Sequence, residues 1–240
     1  MPVANLSLPA EFIKAQQWLQ SLGPPTRVTA IPGNHDAYVE TNWRQGWVQW
    51  TEYMLGDTSA DDDHAFRNPD GIFPSLRVRG PVALVGVCTA KPSAPHLAIG
   101  SIGAGQLQKL EAILARISGQ RLYRVLLIHH PPVPGAVSRR KRLTDAPALR
   151  SLLARYGVEL ILHGHAHRAV QNYLKTPTDR VPVMGAPSAS ALSRNPEHRA
   201  RYYIYRIKPG VDGWNIHLTV RVYAHAKNCF IKERELQFNP

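Results

Sequence analysis

The stretch AIPGNHDAY, residues 30–38, ends an apolar run, RVTAI (27–31), by placing Pro32, Gly33, Asn34, His35 and Asp36 in succession. A turn accounts for the proline and the glycine. It does not call for three polar side chains able to hold a metal ion or a proton. The layout recurs twice. YRVLLIHH (123–130) ends in His129 and His130, and VELILHGH (158–165) runs into His163, Gly164, His165, Ala166 and His167. Apolar runs of this length between turn residues read as buried strands. Ligands in open α/β sheets gather outside the carboxyl ends of strands. One histidine there is usually a satisfied core polar residue or part of a turn; three such ends in one chain read as one site.

Imidazole nitrogens and an amide oxygen suit Zn, Fe, Mn or Ni ions. His165 and His167 would share a face in an extended segment, or clasp two different ions in a loop. Gly164 lets the backbone approach closely. Asp36 can fix the tautomer of His35 and raise its basicity. The pair could then stabilise a phosphoryl oxygen or protonate a leaving group.

Around these stations the pattern alternates. Residues 8–23, 42–55, 103–119 and 145–157 read as helices, with Asn42 and Asp145 as caps and Gly23 as a stop. The aromatic stripe Trp43, Trp47, Trp50 and Tyr53 reads as packing. Residues 73–90 read as two strands joined at Gly80–Pro81. From residue 168 short strands dominate, punctuated by Gly, Pro, Asn and Asp, and are expected to complete a second sheet. The expectation is one layered α/β domain over 1–240, with 231–240 a peripheral tail. The acidic run Asp61, Asp62, Asp63 lacks the spacing of a calcium loop and reads as a surface loop.

The chain has 240 residues, 44% hydrophobic and 19% charged, which is ordinary for a folded globular protein. Two cysteines are too few for a disulfide scaffold. The absence of an apolar run long enough to span a membrane, and of a signal-peptide pattern at the start, predicts a cytoplasmic protein. The formal charge of +12 favours anionic partners. The densest basic run, Ser138 followed by Arg139, Arg140, Lys141 and Arg142, lies in a loop and reads either as a solvated surface or as a rim over an anionic substrate. Nucleic acid fits the charge but has no base-stacking motif in the sequence.

Gly33–Asn34–His35–Asp36, His129–His130–Pro131–Pro132 and Gly164–His165–Ala166–His167 together resemble the third, fourth and fifth signature blocks of calcineurin-like metallophosphoesterases. Order, strand-end context and spacing all agree, from about residue 8 to residue 210. The resemblance implies a four-layer α/β/β/α sandwich of two mixed sheets. It implies a dinuclear centre of Fe, Mn or Zn and hydrolysis of a phosphomonoester or phosphodiester. The phosphorylated small molecule or cyclic nucleotide would be the partner. Carried over by position, Asn34, His129 and His165 would hold one metal and His167 would help to hold the other. His35, oriented by Asp36, would be the catalytic histidine, with Gly33, His130 and Gly164 in support. The family's two earlier blocks, an Asp-x-His and a Gly-Asp strand end near the N-terminus, have no counterpart ahead of Gly33. The expectation is therefore an N-terminally truncated version of the fold that binds one metal rather than two. A late-assigned start, a degenerate homologue, and ligands supplied by another residue (Asp57 or Asp61–Asp63) or a partner all account for it. The alternatives to hydrolysis are an inactive phosphate-binding or interaction module and a nuclease.

Overall fold

The computed structural model describes residues 6–37, 46–57, 69–94, 96–177, 180–211 and 213–238. The larger of two sheets has six strands: β1 (Ser75–Arg79), β2 (Val82–Gly86), β3 (Tyr123–Ile128), β4 (Leu160–His163), β5 (Val170–Lys175) and β6 (Arg180–Gly185). Their order is β1-β2-β3-β4-β6-β5. The inner pairs are parallel and the two outer pairs antiparallel. The smaller sheet holds β7 (Arg201–Pro209), β8 (Trp214–Ala224) and β9 (Cys229–Phe238), paired antiparallel in that order.

The helices follow from apolar spacing. α1 (Pro9–Leu22) aligns Phe12, Ala15 and Leu19 on one face; α2 (Pro69–Ile72) is a single turn. α3 (Ala104–Ser118) buries Leu110, Leu114 and Ile117, and α4 (Ala146–Tyr156) buries Leu149 and Leu153. α3 and α4 cover one face of the large sheet, against Val85, Leu126, Ile128, Ile161 and Val183. The opposite face, with Tyr123, Val125, Leu160 and Met184, packs on Ile216, Leu218 and Val220 of β8. Two stacked sheets flanked by helices are the architecture the sequence predicts. Burying these large apolar side chains stabilises the layers by roughly 1.5–3 kcal/mol each.

Four local expectations change. Residues 27–31 are not a strand. They are tied down by Arg77, whose buried guanidinium donates to the carbonyls of Pro25, Val28, Glu52 and Leu55 at 2.6, 2.7, 2.7 and 2.5 Å. A side chain thus does what a strand ladder would do. β5 and β6 join the large sheet, because β6 pairs parallel with β4 and its hairpin partner follows it. Among the described residues, β7–β9 form the second sheet. Residues 47–53 wind as 3-10 helix with a non-helical Trp50, and Trp50 and Tyr53 are buried as packing residues. The stretch expected as a tail pairs with β8 as an edge strand and sends Leu236 to the core. Asn42, Trp43 and Asp61–Asp63 lie outside the described residues.

Candidate metal and phosphate site

β3 and β4 run parallel with Ile128 opposite His163. Their ends are therefore level, and Gly164 N–H reaches His129 O at 3.3 Å. This register brings two of the three sequence stations together. The third arrives on a 3-10 turn, Asn34–Ala37. Gly33 and Asp36 clamp it: Asp36 N–H donates to Gly33 O at 3.1 Å, and Gly33 N–H donates to Asp36 Oδ2 at 2.8 Å. Ser7 Oγ–H donates to His35 O at 2.6 Å and Trp47 Nε1–H to Asp36 O at 2.8 Å.

Asn34 Oδ1 lies 2.9 Å from His129 Nε2 and 3.2 Å from His165 Nδ1. His165 Nε2 lies 2.9 Å from Lys141 O. A carbonyl only accepts, so that nitrogen carries the proton, and Nδ1 of the neutral ring presents a lone pair. It faces Asn34 Oδ1, a second acceptor. The ring stays neutral at pH 7, because burial and then neighbouring His130 push its pKa down to about 3. His129 is also held well below the ordinary histidine value, by burial first and His130 second.

The doublet resolves by hydrogen bonding. His130 Nε2–H donates to Ala98 O at 3.1 Å, and its Nδ1 accepts from the Thr89 hydroxyl at 2.7 Å. Both of its nitrogens are used, so His129 is the histidine aimed at Asn34. His167 is exposed and stands with His35, their ring centroids 6.3 Å apart. His165 and His167 have φ of 62° and 53°. Left-handed backbone at residues other than glycine costs roughly 1–3 kcal/mol and collects at functional sites.

The basic loop reaches the site through its backbone. Arg140 O accepts from Ala98 N–H at 2.8 Å, Arg142 O from Gly100 N–H at 3.1 Å, and Lys141 O from His165. The side chains of Arg139, Arg140, Lys141 and Arg142 are exposed above it. Asp57 is on the surface, bound to Arg79 at 2.8 Å and to Val78 N–H at 2.7 Å. It supplies nothing to the histidines.

Sequence reasoning gave no role to three supporting residues. Gly100 touches His130: a Cβ there would lie 2.3 Å from its Nδ1. His163 is buried, donates from Nδ1 to Gly164 O at 2.9 Å, and leaves Nε2 without a partner. Gly185 makes room for that ring, since a Cβ would lie 2.6 Å from it. The run of histidines contained a signal for His163. No local pattern marks the two glycines, whose neighbours come from distant strands.

Asp145, read as the cap of α4, makes no side-chain cap bond there. Its carboxylate takes Ser101 Oγ–H, Ile102 N–H and Gly103 N–H at 2.9, 2.9 and 2.8 Å, and so fastens the start of α3.

Among the described residues no group of three or more His, Cys, Asp or Glu side chains is placed to hold a metal ion. The cluster at Asn34 has two histidines and an amide. No helix among those residues is long and apolar enough to cross a membrane.

The calcineurin-like phosphoesterase family matches residues 7–169, and the chain belongs to that family of metal-dependent hydrolases. A dimetal phosphatase from Danio rerio aligns at 14% identity with a TM-score of 0.37, covering 57% of this chain and 38% of that one. GAP50, the anchor in the inner membrane complex of Plasmodium, aligns at 12% identity with a TM-score of 0.35, covering 66% and 50%. A Vps29 double mutant from Entamoeba histolytica aligns at 10% identity with a TM-score of 0.29, covering 53% and 89%. The chain thus spans half or less of the first two proteins. No curated protein matches it.

Proposed function

We propose that this chain binds a phosphate ester at a site built around one divalent transition metal held by Asn34 Oδ1, His129 Nε2 and His165 Nδ1. In this reading it is a phosphate-binding member of a hydrolase family rather than a two-metal phosphoesterase. The observation that carries it is the facing pair of acceptors, Asn34 Oδ1 and His165 Nδ1, 3.2 Å apart. A cation between or beside them would satisfy two lone pairs aimed at each other, as would an Asn34 amide turned to donate its Nδ2–H. Donors about 2.1 Å from a first-row ion stand about 3.0–3.4 Å apart, so the spacing fits the group.

All three donors are neutral. The ion's charge would then be offset by an anionic ligand rather than by protein carboxylates. A metal held there supplies positive charge to a phosphoryl oxygen. The residues of the chain do the rest. Asp36 and Gly33 hold the turn that presents His35, which donates a proton or hydrogen bond to the phosphate. Arg139, Arg140, Lys141 and Arg142 draw the anion in. A small phosphorylated molecule, cyclic nucleotides included, fits the site's chemistry.

Family membership favours the second reading, hydrolysis. Calorimetric titration of the manganese-loaded protein with inorganic phosphate separates the two, alongside a nitrophenyl phosphate assay. Saturable, metal-dependent phosphate binding with no turnover above buffer is the expected result. Turnover that His35→Ala abolishes would replace binding by hydrolysis, and no phosphate binding at all would overturn both.

A further inference from the structure

The outer face of the smaller sheet carries an array that the histidine site does not use. On β7, Tyr203, Tyr205 and Ile207 pack inward, so by strand alternation Tyr202, Arg206 and Lys208 point outward. On β8, Ile216, Leu218 and Val220 pack inward, which sends Thr219, Arg221 and Tyr223 to the same outer face. Strand register then sets Tyr202 beside Arg221, Arg221 beside Lys232, and Tyr223 beside Phe230. The rings touch in a row, with centroids 5.0 Å apart for Tyr202–Phe230 and 5.6 Å for Tyr223–Phe230.

The face is open: Tyr202 is 39% exposed and its neighbour Ile204 38%. Four cations, Arg206, Lys208, Arg221 and Lys232, meet one carboxylate at a register position on this face, Glu235, which Lys232 approaches at 3.2 Å. Three polar atoms are buried there without partners, His217 Nδ1, Thr219 Oγ1 and Arg221 Nε. The residue types come from three strands, so no stretch of sequence displays them together.

We propose that this face binds single-stranded nucleic acid. Cations along a strand track a phosphate backbone, and aromatic rings among them offer stacking surfaces for bases. An acidic peptide would satisfy the cations and leave the rings unused. The array's charge complements a polyanion.

Fluorescence anisotropy with a labelled oligouridine of about 10 nucleotides tests this. Binding is expected to weaken with salt, with a log–log slope of about −3 for four neutralised phosphates. Tyr202→Ala should lower affinity about tenfold, as loss of one stacked base does. Tyr202→Phe should retain it, and Arg206→Glu with Lys232→Glu should abolish it. Circular dichroism and thermal midpoints of the variants check that the sheet is intact. Lys14→Ala and Arg116→Ala, exposed cations on α1 and α3, should change little. The proposal fails if wild type shows no binding at low salt, or if folded Tyr202→Ala binds like wild type. It also fails if Lys14→Ala weakens binding as much as Tyr202→Ala, or if polyglutamate of matched charge competes as well as the oligouridine.

Discussion

Asn34, His129 and His165 differ from His35 in what surrounds their polar atoms. The first three point their nitrogens and oxygen at one another across 2.9 and 3.2 Å. His35 instead stands beside His167. Replacing His129 or His165 by Ala should therefore lose tightly bound metal, measured by elemental analysis after dialysis. His35→Ala should keep the metal and weaken phosphate binding by about tenfold, the worth of one charge-assisted hydrogen bond of roughly 1.5 kcal/mol. Loss of metal in His35→Ala would make it a ligand.

His130 and His163 predict a pH dependence. Burial lowers each to about 4 in the folded chain, from an unfolded value of about 6.5. Between those values the unfolded chain binds more protons, so stability is complete above about pH 6.5 and falls as pH drops toward 4. Urea midpoints should be level near pH 7.5 and decline steadily below about 6.5. A flat profile down to about pH 4.5 would contradict the buried, neutral assignment.

Elements succeed or fail here by their neighbours. α3, α4, β3 and β4 were legible because each carries an apolar period of its own. Residues 27–31 read equally well as a strand, and only Arg77, far along the chain, makes them otherwise. Removing Arg77 should be costly: Arg77→Leu strands several buried carbonyls, on the order of 3 kcal/mol or more in denaturant titration. Gly100 is the opposite case, a residue with no signal in its own sequence context. Its hydrogen sits against the His130 ring, which Thr89 and Ala98 hold on either side. Gly100→Ala should destabilise by roughly 1–3 kcal/mol and loosen the basic loop that Gly100 anchors. Unchanged stability would mean that the ring can move aside.

Over the whole molecule, the histidine stations were legible because β3 and β4 end level, so sequence order and spatial order agree. The turn at Asn34 joins them through the fold alone, and the family's motif order was what disclosed it. The layer order was legible from alternation of helix and strand. The placing of β5 and β6 was not, since hairpin strands read alike whichever sheet they join. The outer array of the smaller sheet was invisible for the same reason: Tyr202, Tyr223 and Phe230 meet only after pairing.

The account turns on a single ion at Asn34, His129 and His165, with no carboxylate of the described residues among its ligands. Elemental analysis of the purified chain, equilibrated with Zn or Mn and dialysed, measures this directly. One equivalent per chain is predicted, falling to none in His129→Ala. Two equivalents, or one that survives His129→Ala, would contradict it.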